Sequence, residues 1–577
     1  MATSEASASE HTRLGEQADR GVRALQFLTF GLGAALVFLS LWLVVARFRF
    51  PIDGEWMTGA VRDGVERVRD GQPLYAPPSV RFVPFLYPPL YFWLSAALAH
   101  VFSTFVACKV VSLAATFALG WGIHRLATSL GATKQWSAIG LLLLVASYPL
   151  TLHFYDVERV DALSAAVVVV GLALLLSGTS LRSSALAGML LGGAFFAKQP
   201  GLLAFLAAVA GLAFAGERRR ALVVGGFGAI VFVALFAYLE VSTHGWFRYY
   251  CLKLPQSHGM ESQLLSTFFI IDLPKAFYIA AGSGAIIAPV AWSFVSRRRA
   301  PESMSWQHVV FAFVVAAGMA GAFSLRAHRG GWANVIIAWL PLGCAACAVA
   351  GTRVQEAARG TRVERLVSLS LFGGVTLQLL GAMFDPNDLS PNAADLRERE
   401  RFVSLVRKLE REGEVIVTTT GNVTKPSSVH AAGLFDIIRA GDRAPADLLD
   451  GLALRRYSAI FAGAPDEFSC GNASCDELVA AIERNYFVAG RRHERDRNGM
   501  TGLDARPRWL FRPRKVPLPP MSTKALFLRQ HIEMGFADME SAKSPLEAEI
   551  LPSDEIELLA EKELEALAAA KDMPELR

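Results

Sequence analysis

Residues 24–46 read ALQFLTFGLGAALVFLSLWLVVA, and the chain continues Arg47-Phe48-Arg49-Phe50-Pro51-Ile52-Asp53-Gly54-Glu55-Trp56. Crossing the hydrocarbon core of a bilayer takes about 20 mostly apolar residues in a helix. This stretch has that length and no charge, and it gives way abruptly to arginines, aromatics and two carboxylates. A polar, Ser/Glu-rich stretch precedes it without a small-residue cleavage site, so it reads as an anchor rather than a removable signal peptide. Residues 1–23 are then a cytoplasmic tail.

Ten more apolar blocks of this kind follow, near 107–126, 136–153, 161–179, 183–197, 200–216, 221–241, 276–296, 307–324, 333–351 and 366–384. The whole chain is 53% hydrophobic and 19% charged, against about 25% charged in soluble domains. Mean hydropathy is +0.35. These values exclude an ordinary soluble enzyme, a disordered chain and a disulfide-knit secreted domain. The net charge of +5 sits in short clusters between apolar blocks; it reads as membrane topology and not as a nucleic-acid footprint. The fold class is therefore mostly α and polytopic, with about eleven transmembrane helices over residues 24–385.

Orientation follows from the basic loops. Arg182, Arg218–Arg220, Arg297–Arg299 and the stretch from Arg353 to Arg365 all face the cytoplasm if residues 88–105 do not cross. That segment, PPLYFWLSAALAHVFSTF, is short and opens on prolines and interfacial aromatics. It is expected to be an interfacial or re-entrant helix within a first outer loop spanning 47–106. The N-terminus is then inside and the C-terminus outside, in a bacterial-type plasma membrane.

Past the last block the pattern changes. Helix-like and strand-like segments alternate over residues 386–515, with strand signals at EVIVTTT (414–420) and YSAIFAG (457–463). A small extracytoplasmic α/β domain is expected there. Residues 516–577 begin Pro-rich and become acidic, Ala-rich and Leu-rich, as expected of a linker and a solvated helix or disordered tail. Cys344 and Cys347 form a CxxC inside an apolar run and read as small contact residues between helices. Cys470 and Cys475 could pair in an oxidising compartment. No zinc spacing, Walker loop or GxGxxG motif is present, so no cofactor is assigned and no residue is named as a metal ligand. A divalent metal is left open.

The outer side holds the chemistry-bearing residues. Asp53 and Glu55 follow the first span closely, and a carboxylate there can act as a general base. YDVERVDALSAAVVVV (155–170) sets Asp156, Glu158, Arg159 and Asp161 at the mouth of a span. Asp161 fits a helix-start acid, but ionisable groups at membrane depth are costly and default to functional candidates. Read as helical, Asp156 and Arg159 share a face. The outer cations are Lys198 in FFAKQPGLL, Lys253 and His258 in YYCLKLPQSHGM, and Arg326, His328 and Arg329 in LRAHRGGWANV. With Arg159 they could hold a phosphate through charge-assisted hydrogen bonds. Each alone could instead snorkel to the interface.

A carboxylate just past the first span, an aromatic PP-Y-F-W segment, an outer Asp in an R-x-D setting and an F-x-x-K-Q-P turn together resemble the GT-C glycosyltransferases. The chain is similar to the bacterial lipid A aminoarabinose transferases and the protein O-mannosyltransferases over about residues 25–385, and the DPNDLSP junction (385–391) also looks like that group's. The resemblance implies transfer of a sugar from a polyprenyl-phosphate carrier to an acceptor hydroxyl, usually with inversion, in cell-envelope glycan or lipid modification. It puts the base at Asp53 and the second acid at Asp156 or Asp161. D-G-E departs from the adjacent acid pair of some branches, which leaves acceptor and metal open. The expected partners are a polyprenyl-phosphate-linked sugar, membrane lipid and a glycan, lipid or protein acceptor. Competing classes are a flippase for a lipid-linked saccharide and a non-catalytic membrane assembly protein. Against a flippase, no duplicated halves or midplane polar residues are evident.

Overall fold

The computed structural model describes residues 2–296, 304–328, 330–417, 431–463, 471–491, 507–519, 528–535 and 562. The protein is mostly helical. Helix α1 (Ala2–Arg49) is followed by α2 (Thr58–Arg69), α3 (Leu90–Leu98), α4 (Thr104–Ser129), α5 (Lys134–Leu150), α6 (Val160–Ser177), α7 (Leu181–Gly193), α8 (Gly201–Phe214) and α9 (Arg218–Ser242). Four short helices, α10 (Trp246–Arg248), α11 (Leu254–Ser257), α12 (Ser262–Thr267) and α13 (Leu273–Lys275), lead to α14 (Phe277–Val295), α15 (Trp306–Ala327), α16 (Leu340–Ala358) and α17 (Glu364–Gly381).

Each of the eleven apolar blocks coincides with a helix. Six helices, α1, α4, α6, α9, α15 and the stretch containing α17, are long and apolar enough to cross a bilayer individually. A seventh arises if 262–275 and α14, which bend by 101° at their junction, make one span. Segments 181–196 and 201–214 are shorter apolar helices joined by a tight turn. The expected interfacial segment is the nine-residue α3. At about 1.5 Å per residue it is far too short to cross.

Pro51 stops α1 just beyond Arg49, because proline removes a donor and restrains the residue before it. At α7 a different sequence device sets the packing. Gly188 and Gly192, one turn apart, face Val224 and Gly228 of α9 so closely that an added Cβ would lie 2.5 Å from the Val224 carbonyl oxygen and 2.3 Å from that of Gly228. Small residues at this spacing let two helix backbones touch. The contact fixes α7, which leads through a 3-10 turn (Ala194–Phe196) to Lys198.

The helix ends fall into two sets. Arg47, the start of α4, residues 151–160, Lys198 and residues 325–334 gather at one face, joined by the contacts described below. At the other, Arg365 binds Asp19 at 2.8 Å and Arg220 donates to the Thr179 carbonyl at 2.8 Å. The basic loops around Arg182, Arg218–Arg220 and Arg353–Arg365 thus share the end opposite the acidic residues. Arg297–Arg299 lie outside the described residues.

The C-terminal region forms α18 (Ala393–Glu410), β1 (Glu414–Val417), α19 (Ala431–Arg439), α20 (Ala446–Ala453), β2 (Tyr457–Ala462), α21 (Ala473–Asn485), β3 (Tyr486–Arg491) and β4 (Trp509–Pro513). Asn392 starts α18 with a full capping box to Asp395, which satisfies two orphan donors of the first turn. The sheet order is β1-β2-β4-β3. β1 and β2 run parallel, whereas β4 is antiparallel to both its neighbours. Phe402, Val406 and Leu409 of α18 cover one face of the sheet, against Val415, Val417, Phe461, Phe487 and Leu510. The other face continues into the apolar core of the membrane helices through Leu434, Ile437 and Leu448. Residues 528–535 add a helix on that second face, with Glu533 buried and bonded to Arg514 at 2.7 Å. Part of the expected solvated tail is therefore packed. Cys344 and Cys347 are buried free thiols, consistent with small contact residues. Cys475 is disulfide-bonded, and Cys470 lies outside the described residues.

Candidate active site

Two loops bring the carboxylates together. The first leaves α1 at Arg49 and runs through Pro51 to α2. The second leaves α5 through Leu152 and His153, both left-handed, with φ of 55° and 60°. Non-glycine residues take that region only when their surroundings impose it. Here Arg47 holds the turn by donating to the His153 carbonyl at 3.1 Å, and the His153 ring packs edge-on against Tyr148 and Phe384. Burial, with Arg47 nearby, pushes the His153 imidazole down to about 3. It stays neutral.

Asp156 then sits in a single 3-10 turn, and Val157 and Arg159 are extended. This corrects the expected shared helix face. Helix α6 starts only at Val160, and the backbone before it bends at 157–159, where the Arg159 amide bonds the Val157 carbonyl at 2.7 Å. Asp156 and Arg159 consequently serve different partners. Asp156 accepts from Arg47 at 2.6 Å and from the Tyr148 hydroxyl at 2.6 Å, while Lys109 donates to its carbonyl at 3.1 Å. Burial alone would raise the Asp156 carboxyl, but Arg47 and Lys109 outweigh it and hold it below its ordinary range. Lys109 also lies 3.7 Å from Glu158, which is 3.7 Å from Arg62.

Arg159 points the other way. It bonds Glu55 at 3.0 Å and the Tyr87 hydroxyl, and lies 3.8 Å from Asp161. Burial pushes the Tyr87 hydroxyl up, so it remains protonated. Asp161, in the first turn of α6, is paired with Lys198 at 2.5 Å and accepts from Asn334 at 3.4 Å. The turn carrying Lys198 is fixed by Gln199, which donates to the Leu86 and Cys251 carbonyls at 2.7 and 3.1 Å.

Five carboxylates (Asp53, Glu55, Asp156, Glu158, Asp161) thus interleave with five cations (Arg47, Arg62, Lys109, Arg159, Lys198). Such a balanced network suits a water-poor site, where an unpaired charge is costly. Its members differ in access. Both Glu55 oxygens are engaged, one by Arg159 and one by the Met57 amide at 3.0 Å, and the side chain is fully buried. Asp53 is 9% exposed, and its contacts with Arg62 and Thr58 both fall on Oδ1. Its Oδ2 carries no hydrogen bond among the described residues.

The remaining expected cations have separate partners. Lys253 lies 3.3 Å from Asp442 and His258 2.7 Å from Asp436, both at the contact with the C-terminal region. Arg326 bonds Asp272 at 2.8 Å. His328 shares a 3.1 Å contact with the Pro255 carbonyl and lies 5.0 Å, ring to ring, from His258. Arg329 is outside the described residues. Among the described residues no group of three or more His, Cys, Asp or Glu is placed to hold a metal ion.

Arg62, Lys109, Tyr148 and Asn334 are site members that the sequence reading passed over. Lys109 had a signal, since a lysine near the start of an apolar block is suspect in itself. Arg62 lay on an unrecognised amphipathic helix. Tyr148 and Asn334 left no signal in the sequence.

Among known proteins, no curated sequence matches the chain. Two solved structures are loosely similar to it. One is ArnT from Cupriavidus metallidurans bound to undecaprenyl phosphate, with 13% identity and a TM-score of 0.48 over 85% of this chain and 99% of that one. The same protein in the apo state gives 14% identity and a TM-score of 0.49 over 83% and 97%. Residues 85–333, from the turn before α3 to the end of the 325–333 segment, match the profile of glycosyltransferase family 87. That stretch holds Tyr87, Lys109, Asp156, Arg159, Asp161 and Lys198, and the match to a glycosyltransferase family agrees with the resemblance read from the motifs.

Proposed function

We propose that the protein transfers a sugar from a polyprenyl-phosphate donor to an acceptor hydroxyl at the membrane face carrying the charge network, on the extracytoplasmic side. The observation that carries this reading is the asymmetry of Asp53: one oxygen is tied to Arg62 and Thr58, and the other, unlike the buried Oδ2 atoms of Asp156 and Asp161, is free and reachable. A base must be ionised, fixed and within reach of the proton it takes. Arg62 holds the carboxylate in place, and Oδ2 takes the acceptor proton.

The acceptor oxygen then bonds to the anomeric carbon as the carbon–oxygen bond to phosphate breaks, and the leaving polyprenyl phosphate keeps the electron pair. A single displacement of this kind inverts the anomeric centre. Charge grows on the departing phosphate, so preorganised cations give the largest stabilisation available. Arg159 and Lys198 fit that role. Both sit beside Asp161, and Lys198 is the more exposed of the two. The ArnT structure similar to this chain is bound to undecaprenyl phosphate, a carrier of the proposed class. Incubating the purified protein in lipid with a panel of polyprenyl-phosphate sugars tests the reading directly. Release of polyprenyl phosphate that depends on Asp53 supports it; no release from any donor, with folded protein and a range of acceptors, counts against it.

A further inference from the structure

The outward face of α18 carries an uncommon charge pattern. Arg399, Arg407, Lys408 and Arg411 line an open concavity of about 650 Å³ together with Val403, Ser404 and a single acid, Glu400. Arg399, Val403, Arg407 and Arg411 recur at four-residue intervals, as do Glu400, Ser404 and Lys408, so they form two adjacent rows on one helix surface. None of the four cations forms an ion pair or side-chain hydrogen bond among the described residues. Glu412, which could have neutralised the end of the row, is turned away to Arg512 at 2.6 Å. An exposed helix face normally offsets its charges at i and i+4. This one does not.

The same chain contains the complement. Residues 536–577 hold twelve acids and four bases, a net charge of −8, with eight of the acids between Glu547 and Glu565. They follow a helix that is fastened to the sheet. Glu533, about 1% exposed, bonds Arg514 at 2.7 Å and Arg529 at 3.1 Å, and lies near the Val488 amide at 3.3 Å. The acidic stretch thus starts from a fixed point on the face of the sheet opposite α18. A chain spans at most about 3.3–3.6 Å per residue, so the twelve steps from Gly535 to Glu547 can cover up to about 40 Å, and a domain of this size has a radius of gyration of only about 13 Å. The acids can pass round the sheet edge and meet α18. Tethering at that range corresponds to an effective concentration on the order of millimolar.

We propose that the acidic segment 547–565 docks on the basic rows of α18 in the same chain. The attraction is between exposed charges, so it weakens steeply with salt. Occupation by this segment would also withhold the rows from other polyanions that reach the same membrane face.

Zero-length carbodiimide cross-linking of the purified full chain, read by mass spectrometry, tests the proposal because Lys408 supplies the one amine in the rows. Lys408 should link to carboxylates within 547–565 at about 0.05 M salt, with the yield falling at least about fivefold at about 0.5 M. The same loss should appear in the variant R399E/R407E/R411E, whose thermal stability should stay close to wild type because Arg407 and Arg411 are exposed, Arg399 is half-buried, and none of the three is paired among the described residues. A mixture of isotopically light and heavy chains should give links within chains only. Links of Lys408 only to residues outside 536–577, links predominantly between chains, or a yield indifferent to R399E/R407E/R411E would each overturn it. So would unchanged cross-linking accompanied by loss of binding to phosphatidylglycerol vesicles in that variant, which would assign the rows to lipid.

Discussion

Arg47 on the last turn of α1 and Asp156 in the turn before α6 meet at 2.6 Å across 109 positions of sequence. The pair closes the bundle at the face where the loop after α1 and the 151–160 turn converge. It is shared with Tyr148 and is buried on both sides. The geometry gives Asp156 a scaffold role: its Oδ2, like that of Asp161, accepts no hydrogen bond but is buried, which leaves Asp53 as the most exposed of the three acids.

Removing one member of a buried, hydrogen-bonded ion pair leaves an uncompensated charge, at a cost of about 3–5 kcal/mol. Asp156→Asn and Arg47→Met should each lower stability by that order, seen as a marked drop in the unfolding temperature in detergent. The double variant should recover part of the loss. Single variants that melt like wild type would show that the pair does not hold the turn.

For the donor, Lys198→Gln should raise the donor KM and lower turnover by about tenfold or more, the usual scale for one charge-assisted contact to a phosphate. Lys253→Ala should change either parameter by less than about twofold, since Lys253 is exposed and pairs with Asp442, and exposed pairs contribute little. Equal effects at the two positions would contradict the division of cations drawn above.

Glu483, on α21, is buried beside Glu533, and its carboxyl is pushed up to about 7, first by burial and then by that neighbour. Between its unfolded value near 4.5 and about 7, the folded state binds more protons than the unfolded one. Stability of the sheet region must therefore fall as pH rises through that window, by no more than about 3 kcal/mol. Hydrogen exchange of β3 and α21 amides should report it, after correction for intrinsic exchange rates. Glu483→Gln should flatten the dependence; a profile unchanged by that substitution would remove Glu483 as its source.

Topology is open to a simple check. A cysteine placed at Ser427 should react with an impermeant thiol reagent in intact cells, whereas cysteines at Arg219 and Arg362 should resist it. Labelling of all three from one side would break the proposed orientation.

Hydrophobic runs were legible because each must fill a bilayer, and every one of the eleven blocks falls on a helix. Crossing number was less legible. Two blocks are short helices joined at Lys198, and a third, 276–296, meets the 262–275 stretch before it at 101°, features that depend on packing rather than on run length. In the site, Asp53, Glu55, Asp156, Arg159, Asp161 and Lys198 were visible as charges at span mouths. Their pairing was not, because it rests on backbone shape. The bend at 157–159 sends Asp156 and Arg159 apart, and nothing in YDVERVD announces that the helix starts only at Val160. Strands β3 and β4 escaped notice as well, since short strands that pair only with distant partners show little alternation of their own.

The decisive measurement is transfer by Asp53→Asn, alongside Glu55→Gln, with donor binding and membrane yield recorded for both. Asn keeps the shape and can still face Thr58, but it cannot take the acceptor proton. Turnover should fall by about 100-fold or more, with donor binding and yield close to wild type. Glu55→Gln should act mainly on stability, because both its oxygens are engaged within the fold. Wild-type turnover in folded Asp53→Asn would remove the base from the mechanism and, with it, the role assigned to the free oxygen.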